Sequence, residues 1–245
     1  MSQVTGDAHV YRFFIDGDGG AGARVVLGAS DADHARVLRA DDSSVRVEAV
    51  DGAGVVWSAE LDASAGVLVL GAPIEVTREH PIIVYAGVRV GGRYDELVDG
   101  AVQAGATVVV PVVGPARDAG RIDQRHDRVQ RIAIAAAKQA KRASVPLVLP
   151  ALRFEALVDE LPGIVVDPDA PHGLDDVVRS GEPGAPVRLL IGAADGFPRD
   201  LVAQLESAGW RRGRLGPTIL RAELAAAVAV AIAAMHAPTA PPAGG

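Results

Sequence analysis

A regular alternation of apolar strands and helices begins after Pro81 and constrains the fold of this 245-residue chain more than any other feature. Strands are predicted at residues 82–86, 107–113, 164–166 and 187–191, with shorter ones near Leu147 and Arg214. Helices are predicted between and after them at residues 94–103, 124–142, 199–208 and 222–235. Continuous apolar strands separated by helices are typical of a parallel sheet covered on both faces. This part of the chain is therefore predicted to be an α/β domain.

The first seventy or so residues have a different sequence pattern, in which short runs rich in Val are separated by the turn-forming residues Gly, Asp and Ser. Strands are predicted at residues 11–15, 24–27, 45–50, 55–61 and 67–70, with one short helix at 33–39. The change of pattern falls within residues 71–81. We therefore predict a small β domain at 1–75, the α/β domain at 80–236 and a disordered tail at 237–245, where prolines and glycines dominate.

Composition excludes several classes of protein. The chain has no cysteine, which excludes disulfide scaffolds, thiolate metal sites and a catalytic thiol. Its six histidines never fall at the spacing of metal ligands, so no metal is expected. No signal peptide is visible at the start, and the longest apolar run, residues 224–235, is too short to cross a bilayer. A soluble cytoplasmic protein without a membrane partner is the expectation.

The formal net charge of −7 arises entirely in the N-terminal third of the chain. Residues 1–80 contain six arginines and no lysine against thirteen acidic residues, and the rest of the chain is balanced. The best candidate for an RNA-binding surface is the predicted helix at 124–142 with the segment before it. Its basic residues are Arg121, Arg125, Arg128, Arg131, Lys138, Lys141 and Arg142. Because surface helices often carry such residues, a solvated helix face is an equally good interpretation.

Three short motifs bear on nucleotide binding or catalysis. Residues 17–22 satisfy G-x-G-x-x-G, but a predicted strand follows where a dinucleotide-binding fold needs a helix. A flexible hairpin loop is the better interpretation. A phosphate-binding P-loop is excluded because neither of the two lysines follows a glycine, and no G-x-S-x-G nucleophile elbow is present.

Two glycine-containing loops in the second half are more informative. Residues 189–198 (L-L-I-G-A-A-D-G-F-P) run from a buried strand into a helix, and residues 215–223 (L-G-P-T-I-L-R-A-E) do the same. Open α/β sheets bind their ligands at the carboxyl ends of parallel strands, which is where both loops lie. Either loop alone could be an ordinary tight turn.

The amino-acid sequences of these loops resemble those of a known family. Residues 215–221 (L-G-P-T-I-L-R) closely match a signature of the bacterial 16S ribosomal RNA uridine-N3 methyltransferases, members of the SPOUT class of S-adenosylmethionine-dependent enzymes. Residues 34–39 (H-A-R-V-L-R) resemble a motif of the family's N-terminal domain. Residues 130–146 resemble its helix with the pattern E-Q-x-x-R. The motif order agrees over nearly the whole chain.

The resemblance implies a PUA-like β-barrel that docks RNA, followed by an α/β domain with a deep trefoil knot, which is a rare exception to the rule that chains are not knotted. It also implies a homodimer with the active site completed across the subunit interface. S-adenosylmethionine would be bound by backbone groups of three loops. Carried over by residue, the cofactor-binding positions are Val166, Asp167, Ile191, Gly192, Asp195, Gly196, Leu215, Gly216, Ile219 and Leu220.

The resemblance also suggests residues for the reaction, in which a uridine ring nitrogen attacks the methyl group and loses its proton. Arg117 and Arg221 are candidates for stabilising negative charge, and Glu223 is the candidate base or orienting residue. Arg221 and Glu223 could instead form a helix-cap pair. The predicted substrate-binding residues are Arg39, Arg93, Gln139 and Arg142.

Several positions depart from the family pattern. The first cofactor loop reads G-A-A-D-G at 192–196 where the family has G-P-E-G-G, and the S-E-R motif retains only Arg117. Together with the acidic first domain, these departures leave three alternatives open. They are an rRNA methyltransferase acting on the small ribosomal subunit, a diverged paralogue that methylates a small molecule or another non-ribosomal substrate, and a non-catalytic protein that binds S-adenosylmethionine.

Overall fold

The structure, a computed structural model, describes residues 10–15, 19–28, 31–33, 35, 45–51, 54–76, 79–114, 116–193 and 196–238. The chain divides into two compact units. The first comprises Met1–Arg78 together with Lys141–Val145, and the second comprises Glu79–Ala140 together with Pro146–Gly245. The predicted tail lies outside the described residues from position 239 onward.

The first unit is built on a five-stranded sheet with the order β1-β3-β4-β5-β2. The strands are β1 (Arg12–Phe14), β2 (Arg24–Val26), β3 (Val45–Val50), β4 (Val56–Asp62) and β5 (Val67–Ile74). β3, β4 and β5 form an antiparallel meander, β2 pairs antiparallel with β5, and β1 lies parallel to β3. The predicted small β domain is confirmed. Alternate residues such as Leu68 and Leu70 of β5 point into its buried core.

The loop containing the G-x-G-x-x-G sequence is not a hairpin, which corrects the sequence prediction. It joins β1 to β2, and these strands stand at opposite ends of the strand order. A Cβ atom on Gly19 would lie 2.4 Å from the indole nitrogen of Trp57, so the glycine allows the indole to pack against the loop. A strand, β2, follows the loop. This agrees with the prediction that the loop does not bind a dinucleotide, which would need a helix there. Gly17 lies outside the described residues.

The helix predicted at 33–39 is seen only in part, because residues 31–33 and 35 are helical and 34 and 36–40 lie outside the described residues. The segment Lys141–Val145 packs with the first unit. The Arg12 guanidinium donates to the carbonyl oxygen of Lys141, and Ala143 packs against Val50 and Val56. Lys141 has a left-handed φ of 53°, which ends any helix that reaches it.

The second unit contains a seven-stranded sheet in which every pairing among the described strands is parallel, so the predicted α/β architecture is confirmed. The strand order is β12-β10-β11-β6-β7-β8, with β9 also pairing with β7. The strands are β6 (Ile82–Gly87), β7 (Val108–Val113), β8 (Leu147–Val148), β9 (Leu152–Arg153), β10 (Ile164–Val166), β11 (Val187–Ile191) and β12 (Arg211–Gly213). The knot implied by the resemblance stays a prediction.

Six α-helices and one 3-10 helix (Phe154–Asp159) are described in this unit. The α-helices are α1 (Tyr94–Ala104), α2 (Ala116–Asp123), α3 (His126–Gln139), α4 (Leu174–Arg179), α5 (Arg199–Ser207) and α6 (Ala222–His236). The helix predicted at 124–142 is confirmed with shorter bounds, because α3 spans His126–Gln139. Its predicted basic residues are divided between α2, α3, Arg125 before α3, and the Lys141–Val145 segment of the first unit.

Register along the sheet places four strand ends at the same edge. Val166 at the end of β10 pairs with Ile191 of β11 and with Gly213 of β12, and Ile191 pairs with Ala86 of β6. The loops after these strands therefore converge. α1 and α6 pack nearby through small residues, since a Cβ on Gly100 would lie 3.4 Å from the Cβ of Ala227.

Candidate active site

A cavity of about 720 Å³ lies where the loops after β6, β10, β11 and β12 meet the N-terminal turns of α1 and α6. Its volume is in the range of ordinary ligand pockets. Eight of the predicted cofactor-binding residues line it: Val166, Ile191, Gly192, Gly196, Leu215, Gly216, Ile219 and Leu220. The structure thus brings together three loops that are separated by up to 50 residues in sequence.

The other two predicted cofactor-binding residues, Asp167 and Asp195, are not found among the residues that line the cavity. Asp195 lies outside the described residues. Asp167 does not line the cavity, although its neighbour Pro168 does. The Asp167 carboxylate accepts hydrogen bonds from the Arg212 side chain at 2.8 Å and from the Asp169 backbone N–H at 2.9 Å. The predicted direct role of Asp167 in cofactor binding therefore finds no support in the geometry.

Two glycines in the cavity wall serve different purposes. A Cβ atom on Gly87 would lie 2.7 Å from the backbone nitrogen of Ala193 and 2.9 Å from the carbonyl oxygen of Ile191. Only glycine lets β6 end this close to the loop after β11. A Cβ on Gly216 would meet no atom within 4 Å, so this glycine leaves open space in the cavity. Sequence reasoning identified Gly216 through its motif and missed Gly87, which ends a strand without a recognisable motif.

Charged side chains from two parts of the chain line the same cavity. Arg89 and Arg93 come from the segment before α1, and Arg221 and Glu223 come from the start of α6. Glu223 pairs with Arg93, whose Nη1 lies 3.4 Å from its Oε1. Within the described residues the exposed side chain of Arg221 forms no ion pair or hydrogen bond. The predicted alternative of an Arg221–Glu223 cap pair is therefore wrong, and Arg221 offers an unpaired guanidinium to the cavity.

The first turn of α6 adds backbone donors to this charge. Arg221 occupies the N-cap position and makes no side-chain cap hydrogen bond. The first N–H groups of a helix have no intrahelical acceptor, and they carry the positive end of the helix dipole. Because Ala222 and Glu223 line the cavity, a ligand with acceptor or anionic groups is favoured at this end.

Tyr94 and Asp95 fix the first turn of α1 beside the cavity. Tyr94 is 2 % exposed, and its hydroxyl is buried without a hydrogen-bond partner among the described residues. Burial raises the pKa of the Tyr94 hydroxyl, which therefore stays protonated. Asp95 binds Arg125 at 2.5 Å and Arg128 at 2.7 Å. Two cations predicted to face RNA thus share one carboxylate, a contact that sequence reasoning did not foresee.

Of the remaining predicted site residues, Gln139 is not among those that line the cavity. Arg117 belongs to α2, and Gln139 is the exposed last residue of α3. Arg142 belongs to the first unit and is 5 % exposed. Its burial argues against direct contact with a substrate. Arg39 lies outside the described residues.

Two features are absent from the described ranges. No group of three or more His, Asp or Glu side chains is placed to hold a metal ion. No helix combines the length and the apolar character needed to cross a membrane.

Comparison with known proteins identifies the family. A family model described as "RNA methyltransferase domain" matches residues 77–234. The ribosomal RNA small subunit methyltransferase E of Synechocystis sp. is 27 % identical over 192 residues, which are 74 % of this chain and 63 % of that protein. The protein of the same name from Mycobacterium bovis is 31 % identical over 121 residues, 46 % of this chain and 45 % of that protein. The matched part thus spans about half to two thirds of these relatives' length.

A solved structure agrees with the sequence matches. The crystal structure of the ribosomal RNA small subunit methyltransferase E from Neisseria gonorrhoeae, bound to S-adenosylmethionine, has a TM-score of 0.78 to this chain at 25 % identity. The superposition covers 91 % of this chain and 96 % of that one. The predicted family resemblance is confirmed. Because the family model covers well over half of the sequence, the chain belongs to the RNA methyltransferase family.

Proposed function

We propose that this protein is an S-adenosylmethionine-dependent methyltransferase that methylates a ring nitrogen of a uridine in 16S ribosomal RNA. One observation carries the proposal: the three loops that resemble the family's cofactor loops line a single cavity at the carboxyl edge of a parallel sheet. The structurally similar Neisseria gonorrhoeae enzyme binds S-adenosylmethionine. A substrate in the small ribosomal subunit would make this a cytoplasmic activity.

The residues present fit the cofactor. The cavity volume of about 720 Å³ accommodates a ligand of nucleoside size, and most of its wall is backbone or apolar side chain. Gly216 leaves space where a side chain would otherwise intrude, and Val166, Ile191 and Leu220 offer apolar contacts. When bound, S-adenosylmethionine supplies an electrophilic methyl group.

The charged residues at the same cavity have roles in the transfer. A uridine ring nitrogen becomes a good nucleophile as its proton leaves, and the base then carries negative charge. The unpaired guanidinium of Arg221 stabilises that charge, with Arg93 beside it. Glu223, the one carboxylate among the described lining residues, accepts the proton or orients Arg93. Arg117 stays a prediction from the resemblance.

We further propose that the protein acts as a homodimer through α6. A helix that is apolar on all sides is normally buried on all sides. One face of α6 packs inside the unit through Ala225, Ala229 and Ala233. The opposite face carries Leu224, Val228, Ala231 and Met235, and Leu224 and Met235 are 51 % and 77 % exposed. Leu224→Glu should yield a monomer in sedimentation, whereas Glu206→Gln, at an exposed position of α5, should leave the dimer intact.

The proposed reaction is tested with purified protein and small ribosomal subunits from a strain lacking this activity. Mass spectrometry of the 16S rRNA should find one methylated uridine only when S-adenosylmethionine is supplied. Glu223→Gln and Arg221→Ala should reduce kcat about 100-fold or more while cofactor binding by calorimetry changes little. Arg199→Ala, an exposed change at the start of α5, is the control. Cofactor binding without methylated rRNA would exclude the ribosomal substrate, and absent binding would exclude the whole proposal.

A second candidate function is methylation of a small molecule or another non-ribosomal substrate. The excess of negative charge in the first third of the chain favours it, because RNA is itself negatively charged. Thirteen acidic residues lie within 1–80, and Asp95 engages both Arg125 and Arg128. Because of this acidic surplus and the shared Asp95 contact, we expect weak RNA affinity with a log–log salt slope no steeper than about −2, equivalent to about three phosphates. A salt titration with an rRNA fragment measures it. A steep slope with sub-micromolar affinity at physiological salt would exclude this second candidate.

A further inference from the structure

An ion pair behind the cavity joins two of the strands whose loops form it. Arg212 lies in β12 and is about one quarter exposed. Its Nε and Nη2 lie 2.8 and 2.7 Å from Asp167 Oδ2, and its Nη1 lies 3.7 Å from Glu206 Oε1 of α5. Asp167 directly follows β10. The pair therefore links the ends of two neighbouring strands.

All polar groups of Asp167 are engaged within the chain. The Oδ1 atom accepts from the Asp169 N–H at 2.9 Å, and the backbone N–H donates to the Gly213 carbonyl at 3.1 Å. The Asp167 carbonyl accepts from the Ala170 N–H at 3.1 Å. A carboxylate with this set of partners shapes the 167–170 turn and has little capacity left for a ligand.

The turn and the strand both lead directly into the cavity wall. Pro168 lines the cavity one residue after Asp167, and Leu215 and Gly216 line it shortly after Arg212. Neither Asp167 nor Arg212 lines it. A change at this pair therefore reaches a ligand only through the position of the two loops.

We propose that Arg212 is a positioning residue for the cofactor, which acts through Asp167 to hold the 166–168 and 215–220 loops in the conformation that binds S-adenosylmethionine. The inference rests on the proposed function. Charge-assisted hydrogen bonds from a guanidinium hold a carboxylate in a fixed orientation, so the loops are ordered before the ligand arrives. Without Arg212, ligand binding must supply the cost of that ordering.

The test uses Arg212→Ala and Asp167→Asn in the full chain, with Arg211→Ala as the matched control. Arg211 is the exposed neighbour on the same strand, and it binds Ser180 Oγ at 2.7 Å, away from the cavity lining. Calorimetry should show that the Kd for S-adenosylmethionine rises about tenfold in either pair variant and changes less than about twofold in the control. The KM for the cofactor should rise in parallel, while kcat and the KM for RNA stay near wild type.

Two further variants keep the inference falsifiable. If Arg212→Ala does not fold, Arg212→Lys preserves the charge without the paired N–H donors and should raise the Kd by a smaller factor. The double variant Arg212→Ala/Asp167→Asn should bind no more weakly than either single variant, because both remove the same contact. Additive losses in the double variant would overturn the inference, as would a wild-type Kd in folded Arg212→Ala. Failure of the wild-type protein to bind the cofactor would instead overturn the proposed function, and the inference with it.

Discussion

Replacing Gly87 with alanine tests whether the end of β6 and the loop after β11 are as close as the structure shows. The new Cβ atom would lie 2.7 Å from the Ala193 nitrogen and 2.9 Å from the Ile191 carbonyl oxygen. Ordinary contact begins near 3.4 Å, so the two backbones must separate by about 0.7 Å. Both contacts are with backbone, which cannot rotate away as a side chain can.

The magnitude follows from two opposing terms. Overpacking of this kind costs about 1–3 kcal/mol, and the smaller conformational freedom of alanine in the unfolded chain returns about 0.5 kcal/mol. The expected net destabilisation of Gly87→Ala is therefore about 0.5–2.5 kcal/mol. For a chain of this size, that lowers Tm by about 1–10 °C. The displaced loop contains Gly192, so we also expect S-adenosylmethionine affinity to fall more than about tenfold.

Gly216→Val is the matched comparison in the same cavity wall. Its Cβ meets no atom within 4 Å, so we expect Tm to change by less than about 2 °C while S-adenosylmethionine binding is lost. Differential scanning calorimetry and titration calorimetry measure the two quantities on the same samples. If Gly87→Ala kept both Tm and affinity, the close approach that forms the cavity wall would be refuted. If Gly216→Val were to bind normally, the cofactor would lie elsewhere.

Three other measurements follow from individual contacts. Tyr94→Phe should be neutral or stabilising by up to about 1 kcal/mol because its hydroxyl has no partner in the described part of the chain, whereas Tyr85→Phe should cost about 1 kcal/mol because its hydroxyl donates to a carboxylate at 2.8 Å. Because burial raises the pKa of both tyrosines above that in the unfolded chain, the free energy of unfolding falls as the pH rises above about 10, and either variant should reduce that fall in urea unfolding. Asp95→Asn should cost about 1–2 kcal/mol in urea unfolding, since two guanidiniums lose their shared partner. Ser64→Ala should raise the pKa of Asp62 towards its ordinary value in an NMR titration, because the Ser64 hydroxyl is the main cause that lowers it.

Strand positions were largely predictable from sequence because buried strands are continuous runs of apolar residues. The runs at 164–166 and 187–191 coincide with β10 and β11. The helices were harder where the apolar signal is weak. α2 contains Gly120 and few apolar residues, and α4 is only six residues long, so neither has a readable period.

The pairing of strands was less predictable than their positions. The loop at 17–22 has the residues of a hairpin, but β1 pairs with β3 and β2 with β5. Which strands pair depends on contacts distant in sequence, and turn residues report only local conformation. The same reason applies to Asp95, whose contacts with Arg125 and Arg128 join α1 to the start of α3. The spacing of the arginines in the sequence could not predict these contacts.

The candidate site was predicted from motifs. The motif residues that line the cavity are mainly glycines and apolar residues, which shape the backbone, and few of them carry groups that could react. Gly192, Gly216 and Leu220 line one cavity because strands of a parallel sheet end at one edge. The residues that hold those loops, Arg212 and Asp167, carry charges that look like surface residues in a sequence. Their function depends on partners 45 positions apart, and only the register of β10 against β12 brings them together.

Charge and geometry together locate where a negatively charged substrate can bind. The acidic surplus lies within residues 1–80, and the arginines beside α3 are partly neutralised by Asp95. At the cavity, by contrast, Arg221 is the N-cap of α6, and its side chain has no ion-pair partner among the described residues. The described cavity lining carries three guanidiniums, of Arg89, Arg93 and Arg221, against the one carboxylate of Glu223. A protein with this distribution gains its specificity at the reacting base more than through a broad electrostatic docking surface.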